Sequence, residues 1–236
     1  MQDFRSPTNT PASVPEARSG ATFFNQVYFW MAAGLVLTGL MAWFTVNNSA
    51  VLAQVVQWYL PLVLVELAVV FALSGLINKF SGGMATAVFL LYSLLNGLTL
   101  SVIFMIYTQE SIAAVFFIAA GMYAAAGVYG YVSKRDLTGF GQFLFMGLIG
   151  IVIAMVVNLF LKSPAVTWMV SVLGVFIFTG LTAYDHQKLR QMSLALAEQP
   201  QDDQAVRRLV VLGALTLYLD FINLFLMLLR LFGNRR

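Results

Sequence analysis

Cysteine is absent from the 236-residue sequence. That excludes a disulfide framework, a thiolate metal site and a cysteine nucleophile. Histidine occurs once, at His186. One imidazole cannot make a zinc site. No HExxH spacing, glycine-rich phosphate loop or GxSxG segment is present to suggest a catalytic centre, so the chain does not read as an enzyme. Charge is scarce too. Only 10% of residues are Asp, Glu, Lys or Arg, against about 25% in soluble domains. Apolar residues take their place: they make up 60% of the chain, and the mean hydropathy is +0.84. Several uncharged runs exceed the roughly 18 residues that mark a membrane helix, which sets aside a merely apolar soluble bundle.

The first segment, 1–21, is polar and rich in Pro, Ser and Thr. It reads as a disordered tail. The apolar run that follows is too long for a signal-peptide core. The rest, 22–236, reads as one all-α membrane domain with seven spans at about 22–45, 52–77, 84–107, 111–132, 139–162, 165–188 and 208–232. The runs are continuous and lack the alternation of barrel strands. Pro164 suits the first turn of the sixth helix.

The net charge of +3 and the pI near 9.3 reflect loop lysines and arginines rather than a nucleic-acid surface. The tail and alternate loops carry nine of them: Arg5, Arg18, Lys79, Lys134, Arg135, Lys188, Arg190, Arg207 and Arg208. The other side carries three: Lys162, Arg235 and Arg236. That asymmetry predicts a cytoplasmic N-terminus. The two terminal arginines then fall on the outer side, which keeps alive an arrangement in which the last segment dips in and returns.

Three carboxylates lie within apolar runs. Asp220 interrupts "LTLYLDFINLFLMLLRLFG" (215–233). A charge at the centre of a span costs roughly 2.5–3.5 kcal/mol on insertion scales, so such residues face the bundle interior or a polar cavity. Helical spacing sets Asp220 on one stripe with Gly213, Thr216, Asn223, Met227 and Arg230. Asp185 closes a weaker stripe of Ser171, Gly174, Phe178 and Thr182. It also reads as a boundary residue facing water beside Lys188, with His186 a bystander. Glu66 reads either as a second ion-pathway group or as a structural partner for a buried donor. Asn96 and Asn158 read as interhelical glue. Ala120 and Ala124, and Ala126 and Gly130, are spaced for close helix contact.

"TGLTAYDHQKLR" (179–190) and "GALTLYLDFINLFLMLLRLFGNRR" (213–236) resemble the Bax inhibitor-1 family. So do "LYSLLNGLTLS" (91–101), "YGYVSKRDLTGFGQFLFMGLIGI" (129–151) and "VNLFLKS" (157–163). The resemblance implies a seven-helix bundle with the last helix central. It implies a pH-sensitive calcium leak in a bacterial inner membrane, with Asp185 and Asp220 as the paired sensor. It also implies a cation near the end of the second helix that latches onto the first aspartate; in "SGLINKF" (74–80) that cation is Lys79. Physics is compatible with such a pair. Two adjacent carboxylates in a poorly solvated site share a proton and titrate as a unit. Deprotonated, they offer hard oxygen ligands for weakly bound Ca²⁺. No resident cofactor is expected; the expected partners are the lipid bilayer, calcium and protons.

By the span boundaries, Asp220 lies deep in its helix and Asp185 near the end of its own. Their contact requires tilt, a deeper Asp185 or a water-filled vestibule. Two other readings remain. One is a non-conducting interaction protein that modulates a membrane protein such as a protease. The other is a proton-coupled transporter using Asp220 and Glu66.

Overall fold

The computed structural model describes residues 14–198 and 202–236. Among them every regular element is helical, apart from one isolated antiparallel bridge between Tyr107 and Arg235. The helices are α1 (Val14–Val46), α2 (Ser49–Gln57), α3 (Tyr59–Gly75), α4 (Gly82–Leu100), α5 (Ile103–Ile106), α6 (Gln109–Val132), α7 (Thr138–Leu161), α8 (Pro164–Glu198) and α9 (Asp203–Phe232). α1 reaches back into the segment read as a tail. Residues 1–13 lie outside those described.

Local chemistry sets the helix starts. The side chains of Asn48, Ser81 and Thr108 each accept from the backbone N–H three residues on, at 3.2–3.3 Å, which satisfies donors the first turn leaves open. Between α7 and α8 the chain turns through Lys162, whose φ is 49°. Asn158 holds that turn: its amide donates to Thr167 Oγ1 and its oxygen accepts from the Ser163 N–H. This is the glue role expected of it.

The second apolar run is not one helix. α2 and α3 meet at 76°. Pro61 explains the break, since it has no N–H to bond the Gln57 carbonyl and its ring crowds that oxygen. α3 alone is 17 residues, about 26 Å, close to the ~30 Å of a bilayer core. The chain must cross here, because α1 and α4 run parallel: Gly34 lies against Phe89 and Ser93, and Gly97 against Met41. Six single helices plus this bent pair make the seven spans.

α9 is the centre. Two-thirds of its most apolar window is buried, against 11–44% for the other single spans. It packs on α1, α4, α6 and α8. Leu217, Tyr218 and Leu224 are wholly buried. Tyr218 is tied in by polarity as well as packing: Thr38 Oγ1 donates to the Ser93 carbonyl at 2.8 Å, so the Tyr218 hydroxyl, 2.6 Å away, donates to Thr38. α9 is also unbroken over 30 residues, which overturns the dip-and-return arrangement. The residues after it pair with the α5–α6 connection instead. Thr108 N–H donates to the Asn234 carbonyl, Arg236 N–H to the Ile106 carbonyl, and Asn234 N–H to Ser111 Oγ.

Small residues let α6 approach α8. A Cβ on Gly130 would overlap the Ala183 carbonyl. Ala126 and Gly130, the second of the two predicted small pairs, are buried, while Ala120 and Ala124 are not. At the bundle end where α8 and α9 are joined, glutamines tie the loops. Gln187 accepts from Leu137 N–H and donates to the Arg135 carbonyl, and Gln204 accepts from Gly82 N–H.

Candidate functional site

α8 continues well past the apolar run that ends near 188. It reaches Glu198, so Asp185 stands in mid-helix. α8 and α9 lie antiparallel, with Gly213 against Leu189 and Gly174 against Met227. This register brings Asp185 and Asp220 level. Their carboxyl groups are within hydrogen-bonding reach of each other. The length of α8 and its register with α9 thus bring about the contact that the predicted span boundaries made difficult. Asp220 is 5% exposed, and its Oδ2 is buried without a donor. Such an oxygen is costly unless a proton is shared with its neighbour.

The pair sits in the wall of a cavity of about 1090 Å³ between α3, α4, α7, α8 and α9. The predicted α9 stripe faces it: Thr216, Asp220, Asn223, Met227 and Arg230 all line this space. From Thr216 to Arg230 is fourteen residues of helix, or about 21 Å. The other faces of α9 bear the packing. Phe221 and Phe225 lie edge-on to Phe116, and Phe221 also to Tyr123.

Glu66 lines the same cavity from α3. Thr99 donates to its Oε1 at 2.8 Å. It is therefore the partner of a buried donor and a group on the cavity wall at once. Nearby, Asn96 donates to the Tyr92 hydroxyl and leaves its own oxygen buried without a donor. Asn223 donates to the Leu219 carbonyl within its helix.

Lys79 is not brought to this site. It is exposed on a short 3₁₀ turn, Ile77–Lys79, which Arg208 caps by donating to the Asn78 carbonyl. The cation acting on Asp185 is Lys188, one turn along α8 and also on the cavity wall. His186 is not a bystander at a wet boundary either. It is 2% exposed, lies between the rings of Tyr28 and Tyr123, and its Nδ1 donates to the Thr182 carbonyl at 2.7 Å. Tyr123 in turn is close enough to act electrostatically on both aspartates. Neither tyrosine carried a sequence signal, because single aromatics in apolar runs look like packing.

Among the described residues no group of three or more His, Cys, Asp or Glu side chains forms a metal cluster. Asp185 and Asp220 alone offer calcium two carboxylates. Six to eight oxygens are usual, so waters or carbonyls would complete any transient coordination.

A seven-span bundle with paired carboxyls on the wall of a large, partly open cavity between its helices defines a polytopic membrane protein with a polar site within the bundle. The family model described as inhibitor of apoptosis-promoting Bax1 matches residues 20–236, and the chain belongs to this Bax inhibitor-1 family. It is 51% identical over 228 residues to inner membrane protein YbhL of Escherichia coli K12, covering 95% of this chain and 97% of that one. It is 46% identical to an uncharacterized protein of Borreliella burgdorferi, covering 91% and 92%. With an uncharacterized protein of Deinococcus radiodurans the identity is 43%, covering 91% of each.

Proposed function

We propose that this protein is a pH-gated, calcium-permeable leak of a bacterial inner membrane, with its N-terminus in the cytoplasm. The observation that carries the reading is the meeting of Asp185 and Asp220 in the wall of the large cavity between α3, α4, α7, α8 and α9. A carboxyl pair in contact exchanges its shared proton with the medium and changes charge by one or two units. That is enough to bias a two-state helix arrangement. Glu66 supplies a third carboxylate on the route, and weak, incomplete coordination suits passage rather than storage.

The test is Ca²⁺ flux into proteoliposomes at pH 6, 7 and 8. Wild type is expected to conduct in a pH-dependent way. Asp220→Asn and Asp185→Asn are each expected to fold and to flatten that dependence. Unchanged pH dependence in both variants sinks the sensor role. No flux from folded wild type at any pH sinks the leak.

A second reading draws on Glu66 and Asp220 sharing one cavity. Such a pair suits proton relay in a coupled transporter. Movement of a solute against its gradient, driven by a pH difference, distinguishes that reading, since a leak cannot do it.

A further inference from the structure

A second, smaller cavity of about 560 Å³ lies between α1, α6 and α8, with neither Asp185 nor Asp220 in its lining. Its polar lining is Asn25 and Tyr28 from α1, Tyr131 from α6, and Arg190 and Ser193 from α8. No carboxylate is among the described residues that line it. Arg190 is positioned rather than free: one Nη donates to the Tyr131 carbonyl at 2.8 Å, and the guanidinium lies over the Tyr131 ring. That bond uses one of five guanidinium N–H groups. The pocket sits where α6 ends, just before Lys134 and Arg135. Its flanks are apolar and exposed: Val128 is 64%, Val132 65% and Phe29 65% accessible.

We propose that this pocket binds the phosphate headgroup of an anionic phospholipid. A planar guanidinium held by an aromatic ring is suited to a phosphate. The neighbouring Asn25 amide and the Tyr28 and Ser193 hydroxyls are further hydrogen-bonding groups on the same wall. The apolar flanks run on from the pocket along the helices, where acyl chains lie. A soluble anion would leave those flanks unused. Basic residues at a membrane surface attract anionic lipid, and here a half-buried guanidinium lines an open pocket. The site also adjoins the carboxyl pair from behind. Tyr28 and Gly127 line the pocket, both lie against His186, and His186 follows Asp185 in the chain. The proposal does not depend on the leak reading.

Native mass spectrometry of the full chain tests it, using a phosphatidylglycerol and a phosphatidylcholine with identical acyl chains. Wild type is expected to retain phosphatidylglycerol roughly fivefold better. Arg190→Gln is expected to lose that preference. Val128→Trp places a large ring at the exposed mouth and is expected to lower phosphatidylglycerol retention; it carries the test if Arg190→Gln does not fold. Equal retention of the two lipids by wild type, or an intact preference in the folded variants, overturns the site. Millimolar glycerol 3-phosphate is expected to leave the bound lipid in place. Its displacement of the lipid would overturn the assignment to a membrane ligand.

Discussion

Gly130 of α6 stands so close to the Ala183 carbonyl of α8 that a methyl group there would overlap the oxygen. Backbone cannot swing away as a side chain can, so the two helices must separate. Gly130→Ala is expected to destabilise the bundle by about 1–3 kcal/mol, the usual range for overpacking. Gly121, on the same helix, has nothing within 4 Å of a built Cβ. There the same substitution is expected to be neutral, or to stabilise by about 0.5–1 kcal/mol through helix propensity. Thermal unfolding of both variants in one detergent checks the contrast.

Tyr218 is wholly buried, and its hydroxyl is the donor in a chain through Thr38 to the Ser93 carbonyl. Tyr218→Phe keeps the ring contacts with Phe89 and Tyr92 and removes the bond. The expected loss is about 1 kcal/mol. Tyr218→Ala is expected to cost about 3–5 kcal/mol, since it empties the centre of the bundle. Unfolding temperatures that rank wild type, Phe and Ala in that order bear this out.

Glu66→Gln removes a charge from the cavity and keeps an oxygen to accept from Thr99. The variant is expected to fold normally. On the leak reading, its Ca²⁺ flux falls several-fold while the dependence on pH persists, because the shared proton belongs to Asp185 and Asp220. Proteoliposome flux at three pH values separates the two effects. Loss of pH dependence in this variant would place Glu66 in the sensor.

The residues after α9 are fastened by backbone bonds to the α5–α6 connection. Tyr107 lies in that connection, 6% exposed and on the cavity wall. Removing residues 234–236 takes away the acceptor for Thr108 N–H and the donor to the Ile106 carbonyl. Amide exchange at Thr108 is expected to rise by at least tenfold, with exchange in the middle of α9 unchanged.

Hydropathy made the spans legible because a bilayer core demands long apolar runs whatever the packing. The stripe on α9 was legible because Thr216, Asp220, Asn223 and Arg230 share a face and have no place in lipid. Two boundaries were not legible, for one reason: hydropathy marks where membrane ends, and helices end elsewhere. α8 runs on through "KLRQMSLALAE" (188–198), a mixed segment whose charges end the apolar run while nearly all its residues are good helix formers. α2 and α3 are broken inside a continuous apolar run, where Pro61 was the local signal. The placement of Asp185 followed from the first boundary, and the burial of His186 from its packing against Tyr28, Tyr123 and Gly127 of α1 and α6, which no local pattern signals. Lys79 was the cation to which the family resemblance pointed, but it lies exposed on its 3₁₀ turn, and Lys188, one turn along α8, is the cation near Asp185.

The helix at the centre of the bundle is also made after α1, α4, α6 and α8, the four it packs on. While the chain is being inserted, α1, α4, α6 and α8 have no common partner, and their inner faces await a segment still on the ribosome. Completion of the core is therefore a late event: α1 can pack on α4 and α6 on α8 beforehand, but their shared centre is filled only when Leu217, Tyr218 and Leu224 arrive between them. A stop codon before α9 would leave the surrounding helices without the one they all pack on. A quality-control protease meeting the unfinished chain would find it open along its whole middle.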